Sequence, residues 1–160
     1  MPVEAELKAR VREPGDVRRL LDERAEARVE VYRDTYYDRP SGELGSADEE
    51  LRVRIIKGRR TVLTWKGAAI DPVSGSKPEY ETAVDDADAA HAILRGFGYV
   101  VLIAFEKRCR KYELTPYGRE MLATLMEVPE LEGTFLEVEA GELTTETCTG
   151  AVTESRTSGA

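Results

Sequence analysis

Histidine is nearly absent: His91 is the only one in 160 residues. A two-histidine metal site is therefore ruled out, and a Ser-His-Asp triad or Cys-His dyad has a single imidazole to draw on. His91 lies among alanines in a helix-like stretch, where packing is the simpler role. Cysteine is almost as scarce. Cys109 and Cys148 have no C-x-x-C partner, so neither a disulfide framework nor a zinc site is supported. Cys109, in a strand-like basic segment, reads as a buried structural thiol. No apolar run reaches the length of a membrane span, and Met1-Pro2-Val3-Glu4 does not open a signal peptide. The expectation is a cytoplasmic protein with no membrane partner.

Positive charge is in the minority, with 23 Lys and Arg against 31 Asp and Glu and a net charge of −8. That argues against a nucleic-acid partner. The average hides a local excess. Residues 51–70 carry six basic side chains (Arg52, Arg54, Lys57, Arg59, Arg60 and Lys66) and no acidic one. An acidic chain with one concentrated basic stretch suits a small polyanion better than a long one. With histidine so sparse, chemistry must rest on carboxylates, Lys, Arg or a metal.

The positive signal is alternation. In residues 3–12, VEAELKARVR, Val3, Ala5, Leu7, Ala9 and Val11 alternate with Glu4, Glu6, Lys8, Arg10 and Arg12. A period of two is a strand with one apolar and one charged face. Further strands are expected at residues 28–37, 51–56, 61–66 (after a turn through Lys57, Gly58 and Arg59), 79–84 and 134–139. Residues 99–114 predict one bent strand or two, and residues 121–126 an apolar run of open type. Helices are expected at 17–24, with Asp16 as N-cap, and at 85–96. This is an α+β chain dominated by an antiparallel sheet or barrel. Residues 1–143 form the expected domain, and the Thr-, Ser- and Gly-rich residues 144–160 a flexible tail.

Charged or polar pairs recur at i and i+2: Arg52 and Arg54, Thr64 and Lys66, Glu79 and Glu81, Glu137 and Glu139. An ordinary half-exposed sheet would simply solvate such faces. If the sheet closes with its apolar faces outward under helices, the charges line a polar interior that needs partners. A triphosphate with metal ions would supply them. Arg and Lys clamp phosphate oxygens, and carboxylates hold Mg²⁺ or Mn²⁺. Arg59, Arg60 and the acidic group Glu43, Asp48, Glu49 and Glu50 read as solvated, Trp65 as core, and Tyr36 and Tyr37 as packing residues.

The segments EAELK (Glu4 to Lys8), DTYYDRPSG, LRVRI, LTWKG, PEYET, FEKRCRKY and VPELEGTFLEVE occur in an order that resembles the CYTH, or triphosphate tunnel, superfamily over about residues 3–140. The resemblance implies a closed eight-stranded antiparallel barrel with flanking helices and a metal-dependent triphosphate site. It assigns Glu4, Glu6 and Lys8 to the E-x-E-x-K signature and catalysis. Lys8, Arg52, Arg54, Lys66, Glu79, Glu81, Lys107, Arg108 and Arg110 become substrate-binding residues, and Glu4, Glu6, Glu137 and Glu139 metal ligands. Three positions depart from the pattern. Cys109 stands at one half of a basic-x-basic pair, with Lys107 at the other and Arg108 or Arg110 as substitutes. Lys77 replaces an arginine, and Met126 an aspartate. The implied activity is hydrolysis of a triphosphate such as inorganic triphosphate, ATP or thiamine triphosphate, with Mg²⁺ or Mn²⁺, by a monomer or homodimer. The alternatives are a class IV adenylate cyclase and a non-catalytic triphosphate or polyphosphate binder.

Overall fold

The alternation of the first residues forms strand β1, Val3–Val11, and the same pattern builds seven more. They are β2 (Arg28–Asp38), β3 (Glu50–Ile56), β4 (Arg60–Lys66), β5 (Lys77–Val84), β6 (Val100–Leu114), β7 (Met121–Glu127) and β8 (Thr134–Ala140). Helix α1 (Pro14–Asp22) follows β1, the single turn α2 (Glu43–Ser46) follows β2, and α3 (Ala87–Gly96) follows β5. This computed structural model describes residues 3–140, without the side chain of Glu4. The expected tail lies outside the described residues.

Every strand pairs antiparallel with its neighbours, in the ring order β1-β5-β4-β3-β2-β6-β7-β8. The expected eight-stranded barrel is present in that order. Its closing seam is narrow. β1 meets β5 only at Val3 with Pro78 and Glu4 with Lys77, whereas on its other edge Ala5 to Val11 pair with Ala140 to Thr134 of β8. Past those two seam pairs the sheet is strongly curled but open.

Period-two alternation sorts side chains to opposite faces of this wall. Outside, Tyr112, Ala123 and Leu125 are buried with Val17 and Leu21 of α1, and the Tyr112 hydroxyl donates to Asp22 at 2.8 Å. Tyr37, Val53 and Leu94 make a second outer cluster under α3, where the Tyr37 hydroxyl bonds His91 Nδ1. The Asp86 carboxylate caps α3 by accepting the Ala89 N–H at 2.9 Å, a contact that contributes about 1 kcal/mol. Inside, one level of the barrel is apolar: Tyr32, Ile56, Val62, Cys109 and Met126 are buried together against Phe135. The interior is therefore not polar throughout, as the charged alternation suggested.

Several local expectations are corrected. α1 begins at Pro14, whose missing N–H costs nothing in a first helical turn. Asp16 lies inside that helix and pairs with Arg19 instead of capping it. Two open readings are resolved without correction: of the two forms expected, residues 100–114 take one continuous strand, and the MLATLM run is strand β7. Trp65 is only half-buried, stacked on Tyr80 at the outer surface with ring centroids 6.1 Å apart.

Candidate active site

Strand register assembles the acidic side of the site. Glu6 lies opposite Glu139, and Lys8 opposite Glu137, across the β1–β8 ladder. One carboxylate oxygen from each of Glu6, Glu137 and Glu139 lies within 4.8 Å of the other two. Three such charges repel unless a cation or a shared proton intervenes. Lys8 supplies part of the compensation, with Nζ 2.9 Å from Glu137 and 3.2 Å from Glu6. Burial opposes the charge on Glu137, yet hydrogen bonding with Glu139 and the adjacent Lys8 ammonium hold its pKa down at about 2. Burial likewise works against the Lys8 charge, and Glu137 and Glu6 override it, so the ammonium stays protonated far above neutral pH.

The basic side comes from β3, β4 and β6. Lys66 reaches toward the acids, with Nζ 3.6 Å from Glu6 and 3.9 Å from Glu79. Arg52 donates to Thr64 Oγ1 at 3.3 Å and lies 4.0 Å from Glu81. Arg54 gives Nε and Nη2 to the two carboxylate oxygens of Asp34, at 2.7 and 2.8 Å. Lys107 approaches the same carboxylate at 3.4 Å. Asp34 is 1% exposed. Burial raises its pKa, but the hydrogen bonds and charge of Arg54, with Arg52 and Lys107, outweigh that and keep it ionised.

These side chains enclose a cavity of about 460 Å³. Seven basic groups (Lys8, Arg52, Arg54, Arg60, Lys66, Lys107 and Lys111) and six glutamates (Glu6, Glu50, Glu79, Glu81, Glu137 and Glu139) line it. The donor set fits a hard divalent cation: three carboxylates converge, with no histidine or thiol among them. It also fits an oxyanion. Arg52 Nε is buried without a hydrogen-bond acceptor, an unmet donor on the basic wall.

The family model for the CYTH domain matches residues 3–157. The chain belongs to the CYTH family. Solved structures share its architecture. The PH1819 protein of Pyrococcus horikoshii OT3 is 28% identical with a TM-score of 0.80, over 96% of this chain and 86% of that one. The PH1012 protein of the same organism is 25% identical with a TM-score of 0.73, over 96% and 88%. HpAC1 of Hippeastrum, a proposed adenylyl cyclase that reveals a dominant triphosphatase activity, is 17% identical with a TM-score of 0.68, over 96% and 85%; that likeness concerns the fold. No curated protein matches the sequence significantly. Among the described residues no helix is long and apolar enough to cross a membrane.

Within this CYTH barrel, Glu6, Lys8, Arg52, Arg54, Lys66, Glu79, Glu81, Lys107, Glu137 and Glu139 all line the one cavity. Glu4 is placed on β1 by its pairing with Lys77. Arg108 and Arg110 do not join them. Lys107, Cys109 and Lys111 take the inner face of β6, so the residues between them point out. Arg108 is exposed and lies 4.0 Å from Glu106. Arg110 binds Asp22 and the Tyr112 hydroxyl beneath α1. Lys77 pairs with Asp48 at 2.8 Å, away from the cavity.

Sequence reasoning missed Asp34, Lys111, Glu50 and Tyr36. Continuing the inner phase of β6 from Lys107 by two steps would have found Lys111. The phase of β2 would have given Asp34 and Tyr36, had the tyrosine pair not drawn attention to packing. Glu50 sits at the start of β3, half-buried, rather than in a solvated loop, and Arg60 borders the cavity from an exposed position.

Proposed function

We propose that this CYTH protein is a Mg²⁺- or Mn²⁺-dependent triphosphatase that takes its substrate in the barrel. One observation carries the reading: a converging carboxylate trio faces a wall of arginines and lysines across a cavity of about 460 Å³. Arg52, Arg54, Lys66 and Lys107 would fix successive phosphate oxygens, with guanidinium groups offering two donors each. Glu6, Glu137 and Glu139 would hold the metal, which when bound neutralises phosphate charge and polarises a phosphoryl oxygen. Lys8, already bonded to two of those glutamates, helps hold Glu137 ionised and orients both. In hydrolysis a water oxygen bonds to the terminal phosphorus, the bridging P–O bond breaks, and a glutamate of the trio accepts the water proton. Most of the rate enhancement would come from positioning and charge neutralisation.

A cyclase reading draws on Tyr36, which lines the cavity and stacks on Phe105 with centroids 5.8 Å apart. That pair offers a nucleotide base an aromatic surface beside the phosphate wall.

The test is incubation of the protein with inorganic triphosphate, ATP and thiamine triphosphate, with Mg²⁺ or Mn²⁺, assaying orthophosphate, pyrophosphate and cyclic AMP together. Orthophosphate without cyclic AMP, lost in Glu6→Gln, supports the triphosphatase. Cyclic AMP with pyrophosphate supports the cyclase. Binding without any product supports a non-catalytic binder and ends the enzymatic reading.

A further inference from the structure

A second cavity, of about 620 Å³, opens beside the β3–β4 turn. Ile56, Arg60 and Lys111 line it as well as the main cavity, so the two adjoin at that end of the barrel. Beyond these shared residues it adds Arg28, Arg59 and the buried carboxylate of Glu30. Its charge differs from that of the first. Six glutamates nearly balance the seven cations of the main cavity. Here Glu30 is the only lining carboxylate among the described residues, against four cations. Arg28 lies 3.1 Å from Glu30 and Lys111 3.6 Å, and Arg59 donates to it as well. The Tyr32 hydroxyl donates to the same carboxylate and accepts from Lys111 at 2.8 Å. Burial works against the Glu30 charge, and these donors and cations hold it ionised. One negative charge thus serves three positive ones. On the rim, Glu113 lies 3.5 Å from Arg28. Glu26, two residues before Arg28, and Asp85, one step past the Thr61–Val84 pair, make no ion pair with these cations among the described residues. Lys57 adds a further positive charge on the turn.

We infer that this mouth is a second phosphate site, and that the substrate class extends to linear polyphosphates longer than three: the first phosphates lie in the barrel and the next ones over Lys111, Arg60, Arg59 and Arg28. This rests on the triphosphatase reading, which sets the first three. The lining chemistry selects the ligand. A divalent cation finds no carboxylate cluster among these side chains, and a nucleotide base finds no aromatic ring. An oxyanion finds two guanidinium groups about half exposed, Arg28 at 48% and Arg59 at 55%, with donors left over once Glu30 is served. Continuity selects the source. Arg60 and Lys111 stand where the two cavities meet, so a chain leaving the barrel at this end meets cations along its path. A linear polyphosphate carries negative charge on every phosphate and can match each of them. Arg59, solvated in the simplest reading of its turn, becomes a residue that reads chain length.

Isothermal titration of the full chain tests this, with metal chelated so that nothing is hydrolysed. Inorganic triphosphate is compared with linear polyphosphates of increasing length and with orthophosphate. The longer chains should bind more tightly than triphosphate. Arg28→Gln and Arg59→Gln should each raise the dissociation constant of the longer chains by roughly fivefold or more, and leave that of triphosphate unchanged. Arg95→Gln, on the exposed face of α3, removes the same charge and should change neither. Circular dichroism of each variant confirms that the fold is retained, and Arg59, on a turn, is the substitution least able to disturb it. Equal affinity for all chain lengths would overturn the inference and leave the triphosphatase standing. So would variants that weaken triphosphate as much as the longer chains, or orthophosphate that binds through Arg59 while longer chains gain nothing. Triphosphate that fails to bind with Mg²⁺ as well as without it would remove the triphosphatase reading, and this inference with it.

Discussion

The Asp34 carboxylate grips the Arg54 guanidinium through both oxygens, at 2.7 and 2.8 Å, behind the basic wall of the cavity. The same carboxylate lies 3.4 Å from Lys107. Asp34→Asn should therefore leave two buried or half-buried cations, Arg54 and Lys107, short of a partner. Loss of one member of a buried pair destabilises by roughly 3–5 kcal/mol. A bound polyanion would restore the missing negative charge. Inorganic triphosphate should then raise the melting temperature more in Asp34→Asn than in the wild type. Thermal unfolding with and without the anion decides it, and an equal rise in both proteins counts against this role.

Glu137 sets a pH dependence. Its carboxyl is held at about 2, below the ordinary 4.5, chiefly by hydrogen bonding with Glu139 and by Lys8, against the effect of burial. A depressed carboxyl stabilises the fold fully above its unfolded value and loses that contribution as pH falls toward the folded one. The stability gap between wild type and Glu137→Gln should be constant from pH 7 to about 4.5 and shrink below it. Urea unfolding at stepped pH measures the gap; a gap that closes already between pH 7 and 5 would contradict the assignment.

Cys109 and Met126 face each other directly across β6 and β7. They are 2% and 4% exposed, within the apolar level of the barrel. Two of the three departures from the family pattern are thus neighbours in one cluster. Met126→Asp alone should destabilise by about 2–4 kcal/mol, as a carboxyl buried without a partner. Adding Cys109→Arg should recover part of that loss, giving a favourable coupling of at least about 1 kcal/mol in a double-mutant cycle. Additive losses would show that the pair is not coupled. Burial also pushes the Cys109 thiol up to about 11. Its reaction with thiol reagents at pH 8 should be slow until the protein unfolds.

Gly67 ends the LTWKG segment where no side chain fits. A β-carbon there would come 2.6 Å from the Pro78 ring and 2.9 Å from the Trp65 indole. Gly67→Ala should cost about 1–3 kcal/mol by overpacking. Because Pro78 is also Val3's partner at the barrel seam, the loss should include faster amide exchange at Val3 and Glu4. Native-state hydrogen exchange reads both effects.

Much of this was legible in the linear chain. Alternation alone placed β1, β3, β4 and β8, because a period of two has one physical meaning when each strand has an inner and an outer face. The same rule failed where local cues competed with it. Arg108 and Arg110 look like phosphate ligands beside Lys107, yet adjacent residues cannot share a face of a strand. Asp34 was hidden because its partner Arg54 lies twenty positions away, and only the β2–β3 register brings them together. The apolar level of the interior was equally invisible, since Tyr32, Ile56, Val62, Cys109 and Met126 come from five different strands.

The cavity wall is a salt with its ions already matched. Lys8, Arg52, Arg54, Lys66, Lys107 and Lys111 each have a carboxylate within 4.0 Å. For the proposed ligands, loading such a wall is a double displacement: the divalent cation takes glutamates from their lysines, and the triphosphate takes those lysines and arginines in return. Either ion arriving alone must break pairs it cannot replace. Metal and triphosphate should therefore strengthen each other's binding by the same factor, as linkage requires of any two ligands coupled through one protein.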